Sequence, residues 1–220
     1  MTTLTGPRAD AASGQTKSLV ILLHGYGADG NDLFGLANPL SEHMPDTAFR
    51  APNAPQRSTM NPMGYQWFPI PWLDGSTDEQ RDQGFAEAQT ALNAYLDQAM
   101  AEEGVTAART ALIGFSQGTM MSLYVAPRRD EQIAGIVGFS GRLIPGDDLA
   151  DVPSKPPVLL VHGDMDEMIN VSEMSHAETA LRAAGFDVNS HISRGIGHGI
   201  APDGLTLGLQ FLMKHLGYTA

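Results

Sequence analysis

Apolar positions along the chain fall into two alternating patterns. Short unbroken apolar runs, of the kind that form strands buried on both faces of a parallel sheet, occupy Ser18 to Leu23, Thr110 to Ile113, Ile133 to Phe139 and Val158 to Val161. Ala48 to Ala51 and Val188 to Ser193 are further strand candidates. Between them Phe85, Ala88, Leu92, Tyr95, Leu96, Ala99 and Met100 recur at steps of three and four, which predicts an amphipathic helix closed by Gly104. Ser172 to Ala184 predicts a helix ended by Gly185. Leu205 to Leu216 predicts another, which begins after Pro202 and Asp203 and covers one face of the sheet. Strand and helix patterns in alternation predict an α/β fold with crossover helices, and 220 residues suit a single domain spanning 1–220.

One segment has no period. From Pro52 to Asp74 the chain carries Pro52, Pro55, Pro62, Pro69 and Pro71 together with Tyr65, Trp67, Phe68 and Trp72. This composition predicts a long ordered loop. It either wraps an edge of the core or, being aromatic and near strand ends, lines a pocket.

Composition narrows the chemistry. The absence of cysteine excludes disulfides, thiolate nucleophiles and cysteine-ligated zinc. A net charge of −12, with Arg128 and Arg129 the one adjacent pair of basic residues, argues against nucleic acid as a partner. It reads as a solvated acidic surface, with adaptation to salt the alternative. Met1 to Lys17 lacks the basic start and apolar stretch of a signal peptide, and apolar runs are only strand-length, so the expected compartment is the cytoplasm and no membrane span is expected.

Gly114, Phe115, Ser116, Gln117 and Gly118 follow the apolar run Ala111 to Ile113 and precede a helix-forming stretch. That is the strand–turn–helix context in which GxSxG presents a nucleophilic serine, with glycines where strand and helix backbones pass too close for a Cβ. A serine needs a base to take its proton, and the base needs an anionic partner to fix its tautomer. Among the histidines after Ser116, His191 falls within a strand pattern, and His176 and His215 fall on helices. His198 sits in the turn Gly195 to Gly199 before the last helix, where its ring can swing toward the sheet edge. The acid is expected after Val158 to Val161, where Asp164 and Asp166 both qualify, although Asp164 could instead cap the turn. One oxyanion donor would be the backbone N–H of Gln117, and the other would come from the glycine-rich loop Leu23 to Gly27.

Two rival readings arise from the same residues. Gly25, Gly27 and Gly30 spell the GxGxxG of dinucleotide-binding proteins, yet Asp29 and Asp32 would stand where a pyrophosphate must sit. The next strand candidate also ends without a ribose-binding acid. His162, Asp164, Asp166 and Glu167 have the ligand types of a metal site, but a strand-end turn with satisfied carboxylates accounts for them as well. No cofactor or metal is expected.

Laid end to end, LHGYGADGNDL at Leu23 to Leu33, APNAP at Ala51 to Pro55, GFSQGTMMSLY at Gly114 to Tyr124, FSGRL at Phe139 to Leu143, HGDMDEMI at His162 to Ile169 and GHGI at Gly197 to Ile200 resemble the phospholipase/carboxylesterase family of small α/β-hydrolases, which includes bacterial carboxylesterases and acyl-protein thioesterases. The resemblance implies an α/β-hydrolase fold: a mostly parallel central sheet, helices on both faces and no large lid domain. It implies Ser116 as nucleophile, His198 as base, Asp166 rather than Asp164 as acid, and the amides of Tyr26 and Gln117 as oxyanion donors. Tyr26 stands where the family frequently has leucine, and Ile169 and Asn170 replace its usual Val-Pro pair.

The expected activity is hydrolysis of short-chain carboxylic esters, with acyl-protein thioesterase or lysophospholipase as alternatives. The protein would act on small molecules as a monomer or weak homodimer. Ser116 and Asp166 are only 50 residues apart, which leaves no room for a lid domain there. The pocket is therefore expected to be open and roofed by the 52–74 loop. Trp67, Phe68, Trp72, Met165 and Met168 are its candidate substrate-binding residues.

Overall fold

Buried strand residues alternate between two cores. In the computed structural model, which describes residues 3–218, Leu19, Ile21 and Leu23 pack into one apolar cluster, and Val20 and Leu22 pack into a second on the opposite face of the same strand. This period of two is what a strand buried on both sides requires.

The strands are β1 (Arg8–Ala9), β2 (Ser18–Leu23), β3 (Thr47–Arg50), β4 (Gln56–Arg57), β5 (Tyr65–Gln66), β6 (Thr110–Phe115), β7 (Gly135–Phe139), β8 (Val158–Gly163) and β9 (Val188–Ser193). Seven of them form one sheet in the order β1-β3-β2-β6-β7-β8-β9. All neighbours are parallel except β1, which runs antiparallel to β3. The helices are α1 (Gly30–Phe34), α2 (Ala37–Ser41), α3 (Pro71–Asp74), α4 (Asp78–Glu103), α5 (Gln117–Val125), α6 (Ser172–Ala183) and α7 (Pro202–His215). Leu92 and Leu96 of α4, Met121 of α5 and Leu181 of α6 fill the first core. Leu33 of α1, Leu40 of α2 and Phe211 and Leu212 of α7 fill the second, so helices cover both faces.

The expected elements are present with shifted ends, and two regions differ. Helix α4 starts seven residues before its apolar stripe. Its first two turns are polar, and a capping box starts it: Thr77 Oγ1 accepts from Gln80 N at 3.2 Å and Gln80 Oε1 accepts from Thr77 N at 2.8 Å. The 52–74 segment is not all loop, because β4 and β5 pair as a small antiparallel ribbon and α3 closes the segment.

Among the described residues no helix is long and apolar enough to cross a membrane. The carboxyl ends of β2, β6, β8 and β9 deliver the loops in which Tyr26, Ser116, Asp166 and His198 lie, the edge at which open α/β sheets bind ligands.

Candidate active site

Ser116 occupies the turn between β6 and α5 with φ 54° and ψ −115°, a conformation non-glycine residues avoid. Neighbouring groups hold it there. Its N–H donates to Phe139 O on the adjacent strand at 2.9 Å, and its carbonyl accepts from Met120 N at 3.2 Å. Both flanking glycines are sterically obligatory: a Cβ on Gly114 would press on the Gly118–Thr119 backbone, and one on Gly118 would collide with the Leu23 carbonyl.

Asp166 is buried in the turn after β8. Its Oδ1 accepts from the backbone N–H groups of Met168 and Ile169, each at 2.9 Å, and its Oδ2 lies 2.8 Å from His198 Nδ1. Burial pushes its carboxyl upward, but the Ile169 N–H, His198 and the Met168 N–H together outweigh this and leave it below the ordinary aspartate value. It is therefore an anion at neutral pH. Facing that anion, His198 Nδ1 carries a proton, which leaves Nε2 as the lone-pair nitrogen.

Asp164 has a different task. Its Oδ1 accepts from Gly195 N at 2.6 Å, tying the β8 turn to the loop that carries His198. The remaining late histidines lie elsewhere: His191 bonds to Asp203, His176 is exposed and His215 packs on Phe211. Among the described residues no cluster of His, Asp and Glu is arranged to hold a metal.

Ser116 and His198 line one cavity of about 620 Å3, with the His198 ring 4.9 Å from that of Phe115. No hydrogen bond joins Ser116 Oγ to the imidazole; the two residues meet as parts of the same cavity wall. Tyr26 and Gln117 line the same cavity. The Gln117 N–H begins α5 and so has no intrahelical acceptor, and the Tyr26 N–H has no backbone acceptor among the described residues.

The family model for phospholipase/carboxylesterase matches residues 5–216. The chain belongs to that family. It is similar to the crystal structure of esterase PE8, with 44% identity and a TM-score of 0.91 over 97% of this chain and all of that one. Among curated relatives, esterase YpfH of Escherichia coli (strain K12) is 29% identical, covering 92% of this chain and 83% of that protein. Acyl-protein thioesterase 1 of Gibberella zeae is 28% identical, covering 96% and 95%.

Within this phospholipase/carboxylesterase frame, the GxGxxG glycines serve packing and turn formation. Asp29 caps the five-residue α1 by accepting from Asn31 N at 2.9 Å, and Gly30 N donates to Asn53 Oδ1 at 2.8 Å, so side chains occupy N–H groups a pyrophosphate would need. A Cβ on Gly30 would collide with the Ala51 carbonyl.

The substrate-binding expectations divide. Phe68, Trp72 and Met168 line the cavity. Trp67 does not: it is fully buried, and its indole N–H donates to His24 O at 2.9 Å, an aromatic body placed in the core because its polar end finds a partner there. Met165 also lies outside the cavity, with its side chain in solvent. The roof is broader than the 52–74 segment, since Phe85 of α4, Ile144 and Ile169 also contribute to the cavity wall.

Three side chains have supporting roles that the sequence does not assign to them. His24 Nδ1 donates to Gly25 O at 2.7 Å and its Nε2 accepts from Ala54 N at 3.0 Å, which fixes one neutral tautomer and anchors the Tyr26 loop. The buried Gln117 side chain bonds to the backbone of Trp67 and Phe68. His162 Nε2 donates to Ile169 O at 2.8 Å and lies 3.2 Å from Asp166 Oδ2, bracing the acid's turn. Each is a polar residue inside a motif, and only the folded contacts reveal what it holds.

Proposed function

We propose that the protein is a serine carboxylesterase that hydrolyses short-chain esters through an acyl-enzyme. What carries the reading is the 2.8 Å contact of His198 Nδ1 with the anion of Asp166, in a ring that shares its cavity with the strained Ser116 turn. Ser116 Oγ attacks the ester carbonyl as His198 Nε2 takes its proton. The Tyr26 and Gln117 N–H groups receive the oxyanion, each such donor contributing about 3 kcal/mol. Collapse of the tetrahedral intermediate expels the alcohol, protonated by His198. Water then repeats the sequence on the acyl-enzyme. Asp166 stays ionised throughout and stabilises the imidazolium.

Acyl-chain preference follows from the walls. Each buried CH2 contributes about 0.8 kcal/mol only where apolar surface meets it, and among the described residues no lid domain extends that surface. Rates on a nitrophenyl ester series should therefore stop rising before about ten carbons. The relationship to acyl-protein thioesterase 1 favours thioesters as a second substrate class, tested with an S-acylated peptide. We place the enzyme in the cytoplasm as a monomer or weak homodimer.

The deciding experiment is labelling with a fluorophosphonate followed by peptide mapping. Modification at Ser116 alone, with Ser116→Ala losing on the order of a million-fold in turnover, is the expected result. Retained activity in Ser116→Ala would end the assignment.

A further inference from the structure

Arg142 is a cation without a counter-ion in the wall of the cavity that holds Ser116. Among the described residues it makes no hydrogen bond and no ion pair. The other arginine of that wall, Arg81, is satisfied by Asp78 at 2.6 Å and Asp82 at 2.9 Å. Asp32 and Glu173 also line the cavity, and neither pairs with Arg142. A guanidinium stays charged at any accessible pH, so a half-buried one with no partner has lost hydration that nothing in the protein replaces.

The backbone that delivers Arg142 is strained and tied to the nucleophile. Among the described residues two non-glycines have positive φ: Ser116 and Ser140, the latter at 46°. They stand at the ends of the neighbouring strands β6 and β7. Two contacts to the Phe139 carbonyl lock the two turns together, and a third ties the Ser140 turn to β8. Ser116 N donates to Phe139 O at 2.9 Å, Thr119 Oγ1 donates to the same carbonyl at 2.8 Å, and Ser140 N donates to Val161 O at 2.9 Å. Gly141 packs so tightly that a Cβ there would lie 3.1 Å from Ser116 O and would press on the Thr119 side chain. Strain of this kind, about 1–3 kcal/mol for a residue in a sparsely populated region, persists where the surroundings over-determine it, and here it lies two residues before Arg142.

We propose that Arg142 is an anion-binding subsite, and that the enzyme prefers esters whose acyl or alcohol part carries a second, ionised oxyanion, a carboxylate or a phosphate. The planar fork of the guanidinium takes two oxygens of either group while Ser116 faces the ester carbon. Asp32 and Glu173 repel an anion elsewhere in the cavity and so confine it to Arg142. This subsite rests on the esterase reading of Ser116, and its test separates the two.

Wild type, Arg142→Gln and Arg142→Lys are compared on two matched pairs. One is monoethyl against diethyl glutarate; the other is a lysophosphatidic acid against the monoacylglycerol with the same chain. Arg142→Gln should lower the anionic-to-neutral ratio of kcat/KM by about tenfold or more in at least one pair. Arg142→Lys should recover part of it, because it keeps the charge but not the fork. The pair that responds identifies carboxylate or phosphate. A ratio equal in wild type and Arg142→Gln for both pairs overturns the proposal.

Calorimetry with glutarate gives a readout independent of turnover. The same titration is run with glycerol phosphate: binding of either anion to wild type that Arg142→Gln weakens supports the subsite, and equal or absent binding of both anions overturns it. If wild type hydrolyses none of the four esters, the esterase reading falls and the calorimetry alone decides the subsite.

Discussion

The side-chain amide of Gln117 grips the chain at Trp67: Oε1 accepts from Trp67 N at 3.0 Å while Nε2 donates to the next carbonyl, Phe68 O, at 2.7 Å. One residue thus begins the helix that follows Ser116 and uses its side chain to fix the aromatic segment whose Phe68 lines the cavity. All four groups are buried, so the amide cannot be removed without leaving a donor and an acceptor unpaired.

Gln117→Ala should therefore destabilise the fold by about 1–3 kcal/mol for each orphaned group and also lower turnover, although the backbone donor at 117 is retained. Thermal melting and kcat measured on the same preparation check this. A variant as stable and active as wild type would show that the grip on the 67–68 backbone is dispensable.

Asp166→Asn separates geometry from charge. Oδ1 must remain an acceptor, because it faces the N–H groups of Met168 and Ile169, so the new NH2 would point at His198 Nδ1 and toward His162 Nε2. Donor would face donor. His198 is then driven to the tautomer with its proton on Nε2, which cannot accept one from Ser116. Turnover should fall by about ten-thousand-fold with the fold intact. Steady-state kinetics and a circular dichroism spectrum test this; a loss of less than tenfold would remove Asp166 from the proposed mechanism.

What the sequence made legible follows from where information is local. Buried parallel strands are continuous apolar runs, so β2, β6, β7 and β8 stand out, and the loops at their ends carry the motif residues Ser116 and Asp166. Strand β1 has two residues, Arg8 and Ala9, and exists because β3 supplies partners at Arg50 and Phe49. The ribbon of β4 and β5 is equally short. No periodicity can announce either element. Trp67 and Trp72 are five residues apart in one proline-rich segment and have opposite fates, since one indole meets the His24 carbonyl in the core and the other remains mostly in solvent at the cavity. Met165 and Met168, three residues apart, are both exposed, and Met168 alone of the two lines the cavity. Such outcomes depend on residues distant in the chain.

His24 should make the fold acid-sensitive. Burial, the largest influence, holds its pKa below the ordinary 6.5, outweighing the Gly25 carbonyl contact and the nearby Asp29 and Asp32. Below pH 6.5 the unfolded chain takes up a proton that the folded chain refuses. The stabilisation is thus complete above that pH and is lost as pH falls through the lowered folded value. His215 is lowered by burial, with the same sign. His24→Gln removes the first contribution alone. It should melt lower at neutral pH, because its contacts to Gly25 and Ala54 are disturbed, yet show a shallower fall in Tm between about pH 7 and pH 5. Parallel Tm-against-pH curves for variant and wild type would discard this account.

Two glycine substitutions of opposite sign probe the turn that carries Ser116. A Cβ on Gly118 would collide with the Leu23 carbonyl and come within 2.9 Å of the His24 carbonyl, so Gly118→Ala must push the start of α5 away from β2. Overpacking of this kind costs about 1–3 kcal/mol and should lower Tm by roughly 2–10 °C. The displacement carries the Gln117 N–H with it, and a donor misplaced by about 1 Å should lower kcat by about a hundredfold, more than the stability loss alone explains. Gly35 is the contrast: its backbone is helical at φ −56° and a Cβ there meets nothing within 4 Å, so Gly35→Ala should raise stability by about 0.4–1 kcal/mol through the unfolded chain. Differential scanning calorimetry and ester hydrolysis on both variants measure the pair. If Gly118→Ala keeps full activity at a temperature where it is folded, the close approach of α5 to the end of β2 does not set the oxyanion geometry.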